Sequence, residues 1–279
     1  MPSSRIVRHV SSSRRSGKRL GKYKVLRRIA DGGFGTVYKA RDTIEGVDVA
    51  LKVSNVEELD ASMLSDFSRE ARVAASLEHP NILSLKNADL LDGTFVLVYR
   101  LGEESLASRL RRRYTIDRAL DWSEQLLNGL AHAHENNVIH CDIKPDNIIL
   151  FPGNRLRLGD FGLAKVKAKR RSVTVSGSGT IGYMAPEQAL GRPSPRSDVF
   201  AAGITVFRLL SGQLPRWPFD WPLPGLPRLQ EKAPEFVALL RRALKVDARQ
   251  RFEDAVQMLS AFQSARARYS RRKLRDAKS

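Results

Sequence analysis

Asp142, Lys144, Asp146 and Asn147 crowd into the segment VIHCDIKPDNIIL, residues 138–150, between two apolar runs. Placing so much charge between short hydrophobic stretches is costly unless something binds there. Asp160, in LGDFGLA, adds a carboxylate beside Phe161 and Gly162 at the end of an expected strand. With Asn147 and Asp142 it supplies the oxygen ligands that a hard cation such as Mg²⁺ prefers. An acid followed by glycine is also a common turn former. In IADGGFGTV, Gly32, Gly33 and Gly35 would let backbone N–H groups approach an anion, since no Cβ intervenes. The same stretch reads as a hairpin turn, and it lacks the Gly-Lys-Ser/Thr of a P-loop. Lys52 lies in the apolar VALKV, and Glu70, beside Ala71 on an expected helix, offers a counter-charge. That pair fits a structural ion pair as well as a site.

The elements that must hold these residues are of two kinds. From Tyr23 to Tyr99 strand signals dominate (YKVLRRI, TVYKA, VDVALKV, TFVLVY), separated by glycine and Asp-Gly turns. One helix interrupts them, with Leu59, Met63, Phe67, Ala71, Ala74 and Leu77 at three- and four-residue steps before Pro80. Residues 105–136 read as helix. DVFAAGITVFRLL, from Asp198, is apolar nearly all round and predicts a buried helix ended by Ser211-Gly212. LPRWPFDWPLPGLP reads as a proline-rich loop, and helices over about 233–244 and 254–268 follow. A mostly β lobe followed by a mostly α lobe is an α+β arrangement with a natural cleft.

Among 279 residues, 48 Lys and Arg oppose 30 Asp and Glu, a net charge of +18. The excess gathers in Arg5–Arg28, Arg111–Arg113, Lys165–Arg171 and Arg266–Lys278. Such runs are commonly solvated arms, yet counterion release would let them hold nucleic acid or an anionic surface without sequence specificity. Cys141 is the only cysteine, which forbids an intrachain disulfide and suits a reducing compartment. No apolar run approaches a membrane span. The first twenty residues lack the apolar core of a secretory signal; a flexible arm on a cytoplasmic protein is the expectation, ahead of an organelle transit peptide. His9, His79, His132 and His134 lack the i,i+4 helical spacing of a zinc pair.

The order of these pieces resembles the eukaryotic-like (Hanks-type) serine/threonine protein kinases from about Tyr23 to about Ala265. The glycine loop, VALK, Glu70, HCDIKPDN, DFG, GTIGYMAPE, SDVFAAG and DARQR all carry the likeness. It implies a bilobal fold, with an N-lobe over about 22–100 and a C-lobe over about 101–265, flanked by a basic arm (1–21) and a basic tail (266–279). It implies ATP with Mg²⁺, for which Mn²⁺ can substitute, and protein Ser/Thr hydroxyls as acceptors. Ile29, Ala30, Gly32, Gly33, Phe34, Gly35 and Val37 would cover the nucleotide. Lys52, steadied by Glu70, would hold its phosphates. Ala50 and Ile149 would sandwich the base, beside Val98 as gatekeeper and Tyr99 to Leu101 as hinge. Asp142 would orient the substrate hydroxyl, Lys144 would touch the γ-phosphate, and Asn147 with Asp160 would hold the metal. Thr180 and Lys144 favour Ser/Thr over Tyr, and Glu187 would brace the C-lobe through Arg251.

Two positions depart from the family pattern. Ala30 stands for the first glycine of the loop, and Cys141 for the arginine that binds a phosphorylated activation-loop residue. Activity without loop phosphorylation is therefore expected. Ser172, Thr174, Ser176 and Ser178 read either as a polar loop or as an autophosphorylation cluster. Trp217 and Trp221 read as packing of the proline-rich loop, or as a docking surface. A scaffold that uses the same fold without catalysis is the alternative; it would be expected to lack Lys52, Asp142 or Asp160.

Overall fold

The computed structural model describes residues 17–32, 35–54, 68, 71–161, 181–216 and 219–278. The chain divides into two compact units, residues 1–61 with 85–101, and residues 62–84 with 102–279. Among the described residues no helix is long and apolar enough to cross a membrane.

The first unit is an antiparallel six-stranded sheet. Its strands are β1 (Arg19–Leu20), β2 (Tyr23–Gly32), β3 (Gly35–Asp42), β4 (Val47–Ser54), β5 (Leu85–Leu91) and β6 (Thr94–Arg100), in the order β1-β2-β3-β4-β6-β5. Alternation along β4 buries Val49, Leu51 and Val53 with Tyr23, Val25, Tyr38, Ala40, Val96 and Val98. Asp42 closes the β3–β4 turn: its carboxylate accepts from Ile44 and Glu45 N–H, both at 3.0 Å, and pairs with Lys22 at 2.8 Å. The expected arm over 1–21 is corrected at its end. Leu20 is buried and β1 pairs with Tyr23–Lys24, because an apolar side chain there has sheet to cover.

The second unit is mostly helical. Of the helix expected over Leu59–Leu77, residues 71–76 are described and helical, with Ala74 and Leu77 buried. β7 (Glu104–Ser105), β8 (Ile148–Phe151) and β9 (Arg155–Leu158) form a small sheet. The single helix expected over 105–136 is two: α1 (Leu106–Arg109) and α2 (Ile116–Glu135). Arg109 stops the first by donating to the carbonyls of Arg112 and Arg113, and the Thr115 side chain caps the second. Past α3 (Pro186–Ala189), α4 (Pro195–Ser211) is buried along nearly its whole length. It starts at a Ser194/Ser197 capping box and stops at left-handed Gly212, as its sequence requires.

α5 (Leu226–Lys232) begins inside the proline-rich stretch. A 3₁₀ turn over Pro234–Phe236 then leads into α6 (Val237–Ala243), so the helix expected over 233–244 is shorter and preceded by this turn. The last helix, α7 (Ala255–Asp276), runs beyond the expected end at 268 and through most of the basic segment 266–279. Partners distant in sequence hold it there. Tyr269 is buried and its hydroxyl donates to Asp117, Lys273 pairs with Asp117, and Arg272 donates to Glu235 at 2.6 Å. The Lys273 hydrogen bond, with that of Tyr269, outweighs burial and holds the Asp117 carboxyl below the usual range.

Candidate active site

The segment 138–150 is fixed from beneath by one buried carboxylate. Asp198, in the first turn of α4, is 0% exposed. It accepts from His140 N–H and Cys141 N–H, each at 2.7 Å, and from His134 Nε2 at 3.0 Å. His134 is oriented in turn by accepting the Ala255 N–H on Nδ1 at 3.0 Å. An acid buried this deeply is tolerable only with such a set of donors, and here two of them belong to the loop it positions.

His140, also fully buried, joins two parts of the site. Its Nε2 donates to the Gly159 carbonyl at 2.8 Å and its Nδ1 accepts the Asp142 N–H at 3.2 Å. Phe161 meets the imidazole edge-on at 4.6 Å. Gly159 N–H donates to the Asn147 carbonyl at 2.8 Å, so the approach to Asp160 is tied to the loop twice. Asp160 itself has a φ of +66°, left-handed for a residue with a Cβ.

On this base Asp142, Lys144 and Asn147 come together, as the resemblance implies. Lys144 Nζ lies 3.2 and 3.0 Å from the two Asp142 carboxylate oxygens. Asn147 Nδ2 donates to the Asp142 carboxylate at 3.0 Å and to its carbonyl at 2.8 Å. With its amide nitrogen committed, Asn147 keeps Oδ1 as its lone-pair donor. Among the described residues no cluster of three His, Cys, Asp or Glu side chains could hold a metal. The hard oxygens of Asn147 and Asp160 suit Mg²⁺, which takes few protein ligands and completes its shell with water and phosphate oxygens. Ile149 is half-buried in β8, and Gly102 makes room for it: a Cβ on Gly102 would lie 2.3 Å from Ile149 Cγ2.

In the first unit Lys52 is buried, 8% exposed, on the face of β4 opposite Val49, Leu51 and Val53, and pairs across the sheet with Val37 and Leu97. Directly paired residues share a face, so Ala50, Lys52, Val37, Leu97 and Tyr99 lie together. Ile29 and Ala30 on β2 are exposed, and Leu101 just past β6 is half-buried. Val98 does not join that face; it pairs with Leu51 and packs in the sheet core. Gly35 is demanded by the sheet itself, since a Cβ would stand 2.5 Å from the Val53 carbonyl. Gly32 closes β2 opposite Gly35. Gly33, Phe34, Glu70, Thr180, Trp217 and the cluster Ser172, Thr174, Ser176 and Ser178 lie outside the described residues.

Glu187 and Arg251 do meet. Arg251, buried, donates to the two Glu187 oxygens at 2.7 and 3.1 Å and to the carbonyls of Lys245, Arg196 and Val246. All its N–H groups are used. Burial opposes ionisation of Glu187, but the Arg251 and Ser197 donors outweigh it and hold its carboxyl below the usual range.

Asp198 and His140 are site residues that motif spacing does not single out as such. An ionisable residue heading a helix apolar all round was the one available signal, because it had to find partners.

Residues 23–261 match the family described as "Protein kinase domain". The chain is 36% identical over 210 residues to the serine/threonine-protein kinase PrkC of Bacillus subtilis, covering 71% of this chain and 32% of that protein. It is 37% identical over 206 residues to PknA of Mycobacterium tuberculosis, covering 70% and 48%. For pkn2 of Myxococcus xanthus the figures are 33% over 278 residues, 90% and 33%. The chain thus spans about a third to a half of the length of these curated relatives. The crystal structure of the PknI kinase domain of M. tuberculosis superposes with a TM-score of 0.69 at 24% identity, over 90% of this chain and 98% of that one. With a family match over most of its length and an Asp142 loop built as its motifs require, the chain belongs to the protein kinase domain family, among the Hanks-type serine/threonine kinases.

Proposed function

We propose that this chain transfers the γ-phosphoryl group of ATP, with Mg²⁺ or Mn²⁺, to serine and threonine hydroxyls of proteins. The carrying observation is the Asp142–Lys144–Asn147 constellation on a loop anchored by Asp198. Bound ATP would supply the phosphoryl group, and the divalent ion would offset its charge. In this reading Asp142 accepts the hydroxyl proton, Lys144 neutralises charge on the transferred group, and Asn147 with Asp160 holds the ion. Lys52, with Glu70, holds the nucleotide phosphates. Ala50, Tyr99, Leu101 and Ile149 contact the base, under the loop of Ile29, Ala30, Gly32, Gly33, Phe34, Gly35 and Val37. Little covalent chemistry falls to the protein in such a transfer; positioning and charge stabilisation carry it.

The test is incubation of the purified chain with labelled ATP, Mg²⁺ and a panel of proteins. Label on Ser and Thr that disappears on chelation is expected. Nucleotide binding with no transfer to any acceptor, itself included, would favour the scaffold reading instead. A cytoplasmic setting fits the ATP supply and the single buried thiol, Cys141.

One observation favours an anionic partner as well. Arg268, Arg271 and Arg275 recur at three- and four-residue steps on the exposed side of α7, with Lys278 just beyond. Non-specific contact with nucleic acid or an anionic surface would follow. Binding to duplex DNA should then weaken steeply with salt, and affinity independent of salt would remove this reading.

A further inference from the structure

Cys141, the residue immediately before Asp142, has a φ of +62°, a backbone conformation unfavourable for any residue with a Cβ. Something must hold it, and the bonds that do so account for both of its peptide groups. Its N–H goes to Asp198, and the next N–H, that of Asp142, goes to His140 Nδ1. The remaining group, the Cys141 carbonyl, accepts from Gln188 Nε2 at 2.5 Å. Gln188 does not belong to the loop. It lies on α3, and its neighbour Glu187 is locked by Arg251 and by Ser197 Oγ at 2.7 Å. The side-chain amide is therefore offered from an anchored helix.

We propose that Gln188 is a positioning residue for Asp142. By fixing the Cys141–Asp142 peptide plane from its carbonyl side, it sets where the Asp142 carboxylate stands. It also joins the loop directly to the helix that follows residues 162–180. The proposal rests on the phosphotransfer reading, but its physical content is the clamp on one peptide plane, and the two fail separately.

Two variants and two measurements test it. Gln188→Leu removes the donor at similar volume, and Gln188→Glu sets an acceptor against the carbonyl. Steady-state transfer should show kcat falling about tenfold in the first, the kinetic equivalent of one hydrogen bond, and further in the second. The KM for ATP should stay within about twofold of the parent. Independently of activity, amide hydrogen exchange across residues 138–143 should quicken in both variants, with protection of α4 unchanged. A packing role alone would leave Gln188→Leu near the parent in kcat and in exchange; that result would overturn the proposal. If the parent chain transfers nothing, the phosphotransfer reading fails while the exchange experiment still decides the clamp.

Discussion

Asp142→Asn is expected to lower phosphoryl transfer about a thousandfold, within the range for losing a positioned general base. The KM for ATP and the thermal midpoint should hardly move. The substitution keeps the side-chain shape but removes the charge that Lys144 and Asn147 surround. Asn147 can still donate to the backbone carbonyl of residue 142, so the loop keeps that bond. Single-turnover measurement with labelled ATP reads the effect. Transfer at the parental rate would show that Asp142 does not act on the hydroxyl.

Asp198→Ala should be the most damaging single change to stability. It strips the acceptor from His140 N–H, Cys141 N–H and His134 Nε2 in a place with no exposure. Each orphaned buried donor costs about 1–3 kcal/mol, which gives a loss on the order of 3–5 kcal/mol where some relax. For a chain of this size that is a fall in thermal midpoint of about 10 °C. Activity measured where the variant is still folded should also drop, since the left-handed residue 141 loses its N–H partner. A variant as stable as the parent would mean that Asp198 is not the keystone that its contacts suggest.

What could be read from the sequence divides along physical lines. Residues 142, 144 and 147 mark a site by crowding charge between two apolar runs, and the buried helix from Asp198 announces itself by its apolar circumference. Lys52 inside β4 could be taken as buried only by supposing a partner, and it is buried. Val98 could not be assigned a face, because FVLVY is apolar throughout and offers no alternation from which to take a register. The break between α1 and α2 is not legible in the sequence, because Arg109, a good helix former, spends its guanidinium on the carbonyls of Arg112 and Arg113. The reach of α7 was hidden for a different reason. Its bases look like a solvated run until Asp117, Asp121, Glu124 and Glu235 arrive from elsewhere in the chain.

That last helix bears on where the domain can be cut. The family match stops at residue 261, part-way along α7. Arg266 bridges Asp121 and Glu124, and Tyr269 and Lys273 reach Asp117, so three acids along α2 take partners from beyond that point. A recombinant piece trimmed at the family boundary would bare those acids and uncover the surface beneath Tyr269. Expression work should keep the chain through Asp276.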